Sequence, residues 1–466
     1  MSLSSMQFTR LIKHCMSIIA LMAFIYIGYL LEKSKEITFI EIFTELTDYS
    51  SSLVLVLSHV VVVIRLPFCV FNFLGLVFLN NFEARPKLQF SLQECPFLVF
   101  RVVTKGLYPE LVKRNVQLNL QTCTNLGLKH FTIQVVSDIS VNFSADDRCR
   151  EITVPADYKT KNGSLFKARA LQYALEPEVD ILKPGDWVVH LDEETLLTKD
   201  ALIGIINFVS SSEHSIGQGH ITYDNGEIVN WITTLADSTR VGIDYGCRRF
   251  CMRVLHKPVF GFKGSFVVAE ADVEKRVGFD YGPEGSIAED CYFACLAYSK
   301  GISFGFVEGT MIEQSTFTVQ DFIQQRHRWM HGIYLTALSP IIPVRYNLGP
   351  ILLTLSSGLL PLHLFLNILR YLWALPTTVF LDISSSLIWG TNLFTALFGT
   401  LKTFNIHHYS IWKYFFIALA TMACYYLNNI AQYLNSVKIF WMLKTTINHF
   451  HIVDKKSKSK GLLKLD

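Results

Sequence analysis

Charged residues are scarce in this chain of 466 residues, at 17% of the composition, against roughly 25% in an ordinary soluble domain. Neither sign of charge is in large excess, because 42 Lys and Arg residues stand against 39 Asp and Glu residues. This balance argues against a nucleic-acid-binding protein, which carries a basic surplus. Half of the residues are hydrophobic and the mean hydropathy is +0.32, so a purely soluble protein is disfavoured as well.

The spacing of the cysteines gives no metal signature. The closest of the ten, Cys247 with Cys251 and Cys291 with Cys295, are separated by three residues rather than by the two of a C-x-x-C motif. We therefore expect no zinc site, and we expect reduced thiols if the domain that carries them faces the cytosol.

Five apolar runs are long enough to form membrane or interfacial helices. Two lie near the N-terminus, at residues 18–31 and 53–79, and three lie towards the C-terminus, at 348–381, 383–401 and 411–434. A helix needs about 17–25 largely apolar residues to cross a bilayer. We therefore expect two N-terminal spans and three or four C-terminal membrane or interfacial helices.

These runs divide the chain into four predicted regions. They are an N-terminal tail with two transmembrane helices at 1–84, a catalytic domain at 85–336, membrane or interfacial helices at 337–435 and a basic cytosolic tail at 436–466.

The placement of lysine and arginine predicts the orientation. Arg10 and Lys13 precede the first run, whereas the connector at 32–48 is mainly acidic, which favours a cytosolic N-terminus and a cytosolic segment after the second span. The lysine-rich segment at 455–460 fits the same side of the membrane. It is either a solubilising disordered end or a contact for anionic lipid. A cytosolic domain would leave the glycosylation sequon at Asn162 unmodified.

The region between the two sets of runs has the pattern of an α/β domain. Apolar runs at 97–103, 131–136 and 187–191 predict buried strands, and helix-like stretches at 110–123 and 167–175 alternate with them. Strands that alternate with helices predict a mostly parallel sheet with its ligands at the carboxyl ends of the strands.

The acidic triplet at 192–194 directly follows the third predicted strand. Asp192 and Glu194 are two residues apart, so both can face one side of an extended turn and hold a hard divalent cation. Such a cation would neutralise charge on a departing nucleoside diphosphate. The alternative is a solvated acidic turn with no ligand.

A second acidic pair, Glu289 and Asp290, begins a predicted helix that ends at Gly301. A carboxylate in the first turn of a helix can accept a proton from an attacking hydroxyl. The alternative is an acid that only stabilises the helix N-terminus.

Two further segments carry ligand-binding residue types. In the segment 325–329, Arg328 can donate two hydrogen bonds to phosphate oxygens and Trp329 can stack on a sugar ring. The alternative is a segment that only anchors the chain at the membrane surface. Gly261 and Gly264 would let a ligand approach the backbone closely, or would form a tight turn between strands.

The order of these elements resembles the membrane-bound, inverting glycosyltransferases of family 2, which have a GT-A catalytic domain. The resemblance rests on V-V-S-D at 135–138, K-A-R-A-L at 167–171, D-E-E at 192–194, E-D at 289–290 and Q-x-x-R-W at 325–329. Within that family, the chain is similar to the egghead-type glycosphingolipid β-1,4-mannosyltransferases of invertebrates. That narrower likeness lies in H-L-D-E-E-T at 190–195, Q-G-H-I-T-Y at 218–223, the segment 261–266 and R-H-R-W-M-H-G at 326–332.

The resemblance implies transfer of mannose from GDP-mannose to the glucose of glucosylceramide, in a β-1,4 linkage, by a multi-pass protein of the ER or Golgi membrane. It implies an α/β Rossmann-like domain that faces the cytosol and is flanked by transmembrane helices. The roles implied for the site residues are catalysis for Asp290 and Glu289, donor binding for Asp138, Lys167, Gln325 and Arg328, acceptor binding for Trp329, Lys263 and Gly264, and binding of Mg²⁺ or Mn²⁺ for Asp192 and Glu194. Since Glu194 departs from the usual D-x-D motif, Asp192 is expected to be the principal metal ligand.

Two other functions compete with this interpretation. Processive polysaccharide synthases of the same family share the Q-x-x-R-W element beside membrane helices, but the small membrane region and the lack of long insertions favour a single transfer. A membrane scaffold or transporter with an inactive domain would not need Asp192, Asp290, Arg328 and Trp329 together.

Overall fold

The computed structural model describes residues 3–32, 49–143, 147–224, 228–373, 377–404 and 409–441. Most of the acidic connector and the lysine-rich segment at 455–460 lie outside these residues. The described chain forms two units. The first comprises the residues up to Ala84, Ser238–Phe250 and the residues from Ile351 onward, and the second comprises Arg85–Asp237 and Cys251–Pro350.

Fourteen α-helices are present in the described residues. In chain order they are α1 (Leu3–Glu32), α2 (Tyr49–Phe78), α3 (Pro109–Leu126), α4 (Phe166–Tyr173), α5 (Lys199–Ser211), α6 (Trp231–Ile243), α7 (Arg249–Arg253), α8 (Ala271–Val277), α9 (Glu289–Ser299), α10 (Val319–Ala337), α11 (Val344–Gly358), α12 (Leu360–Leu372), α13 (Val379–Thr403) and α14 (Ile411–Ser436). Two π-helical turns, Asp244–Arg248 and Val437–Trp441, and one 3₁₀ turn, Glu284–Ser286, complete the helical elements.

The second unit is built on a seven-stranded sheet. Its strands are β1 (Leu98–Thr104), β2 (Phe131–Ser137), β3 (Cys149–Thr153), β4 (Trp187–Asp192), β5 (Ile216–Thr222), β6 (Val267–Glu270) and β7 (Phe304–Ile312). The order across the sheet is β3-β2-β1-β4-β6-β5-β7, and only β6 runs antiparallel to its neighbours. These pairings confirm the mostly parallel α/β sheet that the sequence predicts. As expected for strands covered on both faces, β1, β2 and β5 are continuously buried.

The helices of this unit begin and end where the local sequence favours it. Helix α3 has Pro109 at its start, where the missing N–H costs nothing, and ends at Gly127 in the left-handed conformation with φ of 87°. The predicted helices at 110–123 and 167–175 correspond to α3 and α4.

A buried ionic network joins the central strands. Arg101 of β1 donates to Glu274 of α8 at 2.9 Å and to Gln134 of β2 at 2.6 Å, and His190 of β4 lies 2.7 Å from Glu274. Although burial opposes ionisation, the Arg101 and His190 side chains lower the pKa of Glu274 to about 2. Because removing one partner would leave a buried charge uncompensated, the network holds β1, β2 and β4 in place.

The first unit contains helices able to cross a membrane. Met6–Leu31, Ser52–Phe78 and Ile411–Phe440 are long and apolar enough, and the pair Val344–Gly358 and Leu360–Arg370, bent by 48°, forms a fourth candidate if it is one span. These helices confirm the two predicted N-terminal spans as apolar helices, whereas the run predicted at 348–381 is broken near Leu359.

The sequence did not indicate that Ser238–Phe250 belongs with the membrane-type helices. In that segment the backbone N–H of Cys247 donates to Asn72 of α2 at 3.1 Å. The approach requires glycine, because a Cβ on Gly75 would overlap the carbonyl of Gly246.

Candidate active site

The acidic turn after β4 is fixed by buried hydroxyl groups. The Asp192 backbone N–H donates to the Thr195 hydroxyl at 3.1 Å, and that hydroxyl lies 2.8 Å from the Ser265 hydroxyl. Thr195 and Ser265 are both buried. Between the two candidate metal ligands, the Glu193 carboxylate accepts a hydrogen bond from Thr104 at the end of β1. The turn is therefore held from both sides, and the half-buried Asp192 carboxylate lies at the edge of the sheet.

Glu313 is a site residue that the sequence analysis missed. It directly follows β7 and accepts a hydrogen bond from the Thr195 hydroxyl at 2.9 Å. Burial and the nearby carboxylates of Asp192 and Glu194 raise the pKa of Glu313 to about 7, although Lys263 opposes this shift. Its place directly after a strand is a weak signal, because only the order of the strands brings it to Thr195.

Lys167 lies at the centre of the candidate site. Its Nζ is 2.5 Å from Asp192 Oδ1, 3.5 Å from Glu289 Oε1 and 3.3 Å from the carbonyl oxygen of Gly264, to which it donates. Although burial opposes its charge, the carboxylates of Asp192, Glu289 and Asp290 raise the pKa of Lys167. One ammonium group thus joins the acidic turn after β4 to the acidic start of α9.

Asp290 has the environment of a general base. It is half-buried in the first turn of α9, and burial together with Glu289 raises its pKa to about 7, while Asp192 adds to the shift and Lys167 opposes it. The Cys291 backbone N–H donates to Asp290 Oδ1 at 2.7 Å, which fixes the carboxylate. A carboxylate with a pKa near the working pH can take up a proton during reaction.

Two loops position Lys167 and Asp290 relative to each other. The Asn162 backbone N–H donates to Asp280 at 2.7 Å, and the Leu165 backbone N–H donates to Ser286 at 2.9 Å. The loop before α4 is therefore bonded to the loop before α9. Its hydrogen bonds also lower the pKa of Asp280 against the effect of burial.

Helix α10 is closely packed on the segment that precedes Glu289. A Cβ placed on Gly332 would overlap the Ala288 Cβ and would lie 2.8 Å from the Ala288 backbone nitrogen. Real Cβ atoms do not approach so closely. Glycine at 332 therefore allows α10 to pack directly against the turn that carries Glu289 and Asp290.

The Q-x-x-R-W element lies on α10, where Gln325, Arg328 and Trp329 are half-buried. Arg326, between them, is buried and ion-paired with Asp237. Its guanidinium carbon lies 4.2 Å from the centroid of the Trp329 ring. The residue that fixes this part of the helix is thus Arg326, to which the sequence analysis gave no role.

The remaining predicted residues lie around this centre. Asp138 follows β2 and is ion-paired with Arg169 of α4 at 2.5 Å. A Cβ on Gly264 would lie 3.1 Å from Lys167 Nζ and 3.4 Å from Asp290 Oδ2, so glycine leaves room beside both groups. Lys263 is buried, and its carbonyl oxygen accepts from the Gln218 side chain at 3.1 Å.

Asp192 and Glu194 fit a cation whose remaining coordination positions are filled by substrate phosphate oxygens and water. Within the described residues, no group of three or more His, Cys, Asp or Glu side chains is arranged to hold a metal ion. Mg²⁺ is commonly bound by one or two carboxylates together with substrate phosphate oxygens and water. Asp192 and Glu194 suit that mode, and a site composed entirely of protein ligands is not indicated.

The site as a whole combines carboxylates of raised pKa, Asp290 and Glu313, with the ammonium group of Lys167. That pairing suits a single displacement in which a hydroxyl is deprotonated while an anionic group departs.

Comparison with known proteins identifies the family. A model described as glycosyl transferase family group 2 matches residues 187–434, which is more than half of the chain. The chain belongs to glycosyltransferase family 2. Among curated relatives of this family 2 enzyme, the β-1,4-mannosyltransferase egh of Drosophila melanogaster is 40% identical over 449 residues, 96% of this chain and 97% of the relative.

A second relative of the family 2 enzyme is the β-1,4-mannosyltransferase bre-3 of Caenorhabditis elegans. It is 47% identical over 344 residues, which cover 74% of this chain and 75% of the relative. Glycosyltransferase activity follows from the relatives and the family domain together, and the relatives support a mannosyltransferase.

Crystal structures of TarS from S. aureus match this chain at low similarity. The structure of TarS 1–349 is 12% identical, covers 77% of this chain and 94% of that chain, and has a TM-score of 0.31. The same fragment in complex with UDP gives a TM-score of 0.33. A likeness of this size carries no conclusion about individual residues of the family 2 enzyme.

Proposed function

We propose that this glycosyltransferase moves mannose from GDP-mannose to the 4-hydroxyl of the glucose in glucosylceramide, with inversion to a β linkage. The observation that carries the proposal is the Asp290 carboxylate, whose pKa is raised to about 7 beside the ion pair of Lys167 and Asp192. An inverting transfer needs one base and one stabiliser of the leaving diphosphate. The names of the relatives support mannose and the β-1,4 linkage.

In this proposal Asp290 removes the proton from the acceptor hydroxyl as that oxygen attacks the anomeric carbon. The new C–O bond forms as the bond to the GDP oxygen breaks, and the proton remains on Asp290 Oδ2 until solvent removes it. Glu289 keeps the pKa of Asp290 high, and Lys167 stabilises the diphosphate through its ammonium group.

Asp192 and Glu194 would hold Mg²⁺ or Mn²⁺. When bound, the cation supplies positive charge next to the leaving diphosphate. Of the two carboxylates, Asp192 would be the principal ligand, since its backbone is fixed by Thr195.

The other residues bind the two substrates. Asp138 contacts the nucleoside and is oriented by Arg169. Gln325 and Arg328 bind the donor diphosphate.

On the acceptor side, Trp329 stacks on the glucose, while Lys263 and Gly264 line the path of the acceptor.

We further propose that the enzyme resides in the ER or Golgi membrane with its catalytic unit on the cytosolic side. The sequon at Asn162 supports this orientation, because the Asn162 Nδ2 already donates to the Asp280 carbonyl at 2.7 Å. The Ser164 hydroxyl is buried and donates to the Phe279 carbonyl at 3.1 Å. A glycan on the Asn162 nitrogen would disrupt these contacts, and such glycans are added only on the lumenal side.

The test is transfer of radiolabel to glucosylceramide by the purified full-length protein with divalent cation. GDP-mannose, UDP-glucose and UDP-N-acetylglucosamine are each supplied as the labelled donor. Label in a lipid product with one added sugar, from GDP-mannose alone, is the expected result. Long products from a UDP-sugar would instead indicate a polysaccharide synthase, and no transfer from any donor would indicate an inactive scaffold.

A further inference from the structure

The ammonium group of Lys167 contacts the carboxylate that is the principal candidate for binding a cation. Its Nζ lies 2.5 Å from Asp192 Oδ1, which is a direct charge-assisted contact. The Lys167 side chain is mostly buried, with 17% exposed. An oxygen that already contacts an ammonium group is a poor ligand for a second cation, because the two positive charges would repel each other at close range.

The surroundings of Lys167 explain why a positive charge is needed there. Asp192, Glu289 and Asp290 all face it, and the Gly264 carbonyl oxygen accepts from it at 3.3 Å. Carboxylates brought this close repel one another unless a cation lies between them. Lys167 therefore supplies, from the protein itself, the charge compensation that a divalent cation would otherwise supply.

The position of Lys167 is fixed by the fold. It is the second residue of α4, and the preceding residue, Phe166, has a positive φ of 53°. The segment before it is bonded to the loop before α9 through Leu165 and Ser286 at 2.9 Å. The main chain thus directs the lysine into the acidic group, and only its flexible side chain needs to move when a ligand arrives.

We propose that Lys167 competes with the divalent cation for Asp192, so that the cation binds tightly only after a nucleoside diphosphate has drawn the lysine away. The diphosphate offers the ammonium group new anionic partners, which frees Asp192 Oδ1. Donor and cation binding are then mutually dependent, since each stabilises the state that binds the other. This inference rests on the proposed role of Asp192 in binding the cation.

The experiment is a titration of the full-length protein in detergent with Mn²⁺, followed by electron paramagnetic resonance, with and without GDP. Without GDP, Lys167→Met should bind Mn²⁺ at least about tenfold more tightly than the unchanged protein, because a nearby positive charge is removed. With GDP, the unchanged protein should gain a similar factor. Lys167→Arg, which retains the charge, should remain weak without GDP.

Two controls make the result specific. Lys129→Met removes an exposed lysine and should leave Mn²⁺ binding unchanged. The double variant Lys167→Met with Asp192→Asn should lose the gain, which would locate the bound ion at Asp192.

Equal binding by the unchanged protein and Lys167→Met without GDP would overturn the competition, even if both bind Mn²⁺ well. If neither protein binds Mn²⁺ even with GDP, the metal part of the proposed function fails as well. The two failures are distinguishable because only the first leaves a measurable Mn²⁺ site.

Discussion

The two units of the enzyme differ in how closely their charged side chains are grouped. In the unit of apolar helices, neutral buried side chains bond one helix to the next, as Asn72 does with Thr395 at 2.9 Å and Thr400 with Thr421 at 2.9 Å, and the buried charges are paired singly, as Arg249 is with Glu83. In the sheet unit, several carboxylates are crowded together at the carboxyl ends of strands, around Lys167. Neutral pairs cost little to bury and give only modest stability, whereas crowded charges shift pKa values. The neutral hydrogen bonds are suited to holding helices together, and the crowded charges around Lys167 are suited to catalysis.

The comparison predicts that Asp290→Asn has the largest effect on activity of any change considered. The rate of mannosyl transfer should fall by about 10²–10⁴-fold, because the amide cannot accept the proton of the acceptor hydroxyl. Thermal unfolding should change little, since Asp290 is one of several carboxylates that repel one another. The measurement is kcat with GDP-mannose and glucosylceramide.

Asp272→Asn is the matched control. Asp272 is also an acid in the first turn of a helix, α8, but it is exposed. If both variants retained full activity, Asp290 would be only a helix-stabilising acid and the assignment of the base would be wrong.

The pKa of Asp290, raised to about 7 by burial and by Glu289, predicts the pH profile. A general base acts in its deprotonated form, so kcat should rise as the pH increases through about 7 and level off above it. Glu289→Gln removes the neighbouring negative charge that raises the pKa of Asp290 most. The rising part of the kcat–pH profile should therefore move to lower pH. A kcat–pH profile that is unchanged in Glu289→Gln would contradict the assignment of Asp290 as the general base.

Gly332→Ala should reduce activity without removing any chemical group. The added methyl group would overlap Ala288, and displacing the turn that carries Asp290 should lower kcat by about 10–100-fold. Gly358→Ala is the control, because a Cβ there makes only ordinary contacts, the nearest at 3.5 Å. An unchanged kcat in Gly332→Ala would show that α10 does not determine the position of the base.

The smallest effect is expected from the unit of apolar helices. Thr395→Val removes the acceptor of the Asn72 side chain and should lower the free energy of unfolding in detergent by about 0.6–2 kcal/mol. The kcat of the remaining folded enzyme should be unchanged. A large loss of kcat without a loss of stability would contradict the view that Thr395 contributes to helix packing and not to catalysis.

Much of the sheet unit could be predicted from the sequence, because continuous apolar runs mark β1, β2 and β4 and acidic residues mark the ends of β2 and β4. Residues whose roles depend on distant parts of the chain could not be found. Glu313 reaches Thr195 across a separation of 118 residues, and only the order of the strands brings them together. Gly332 likewise matters through its contact with Ala288. The placement of Ser238–Phe250 with the apolar helices depends on tertiary packing that periodicity does not reveal.

The central claim is that one carboxylate, Asp290, drives a single displacement at the anomeric carbon. The most direct test is the anomeric configuration of the sugar transferred from GDP-α-mannose, measured by the one-bond carbon–proton coupling at C1 in the purified glycolipid. A β-linked mannose is the predicted product. An α-linked mannose would mean that configuration is retained, which a single displacement with one base cannot produce.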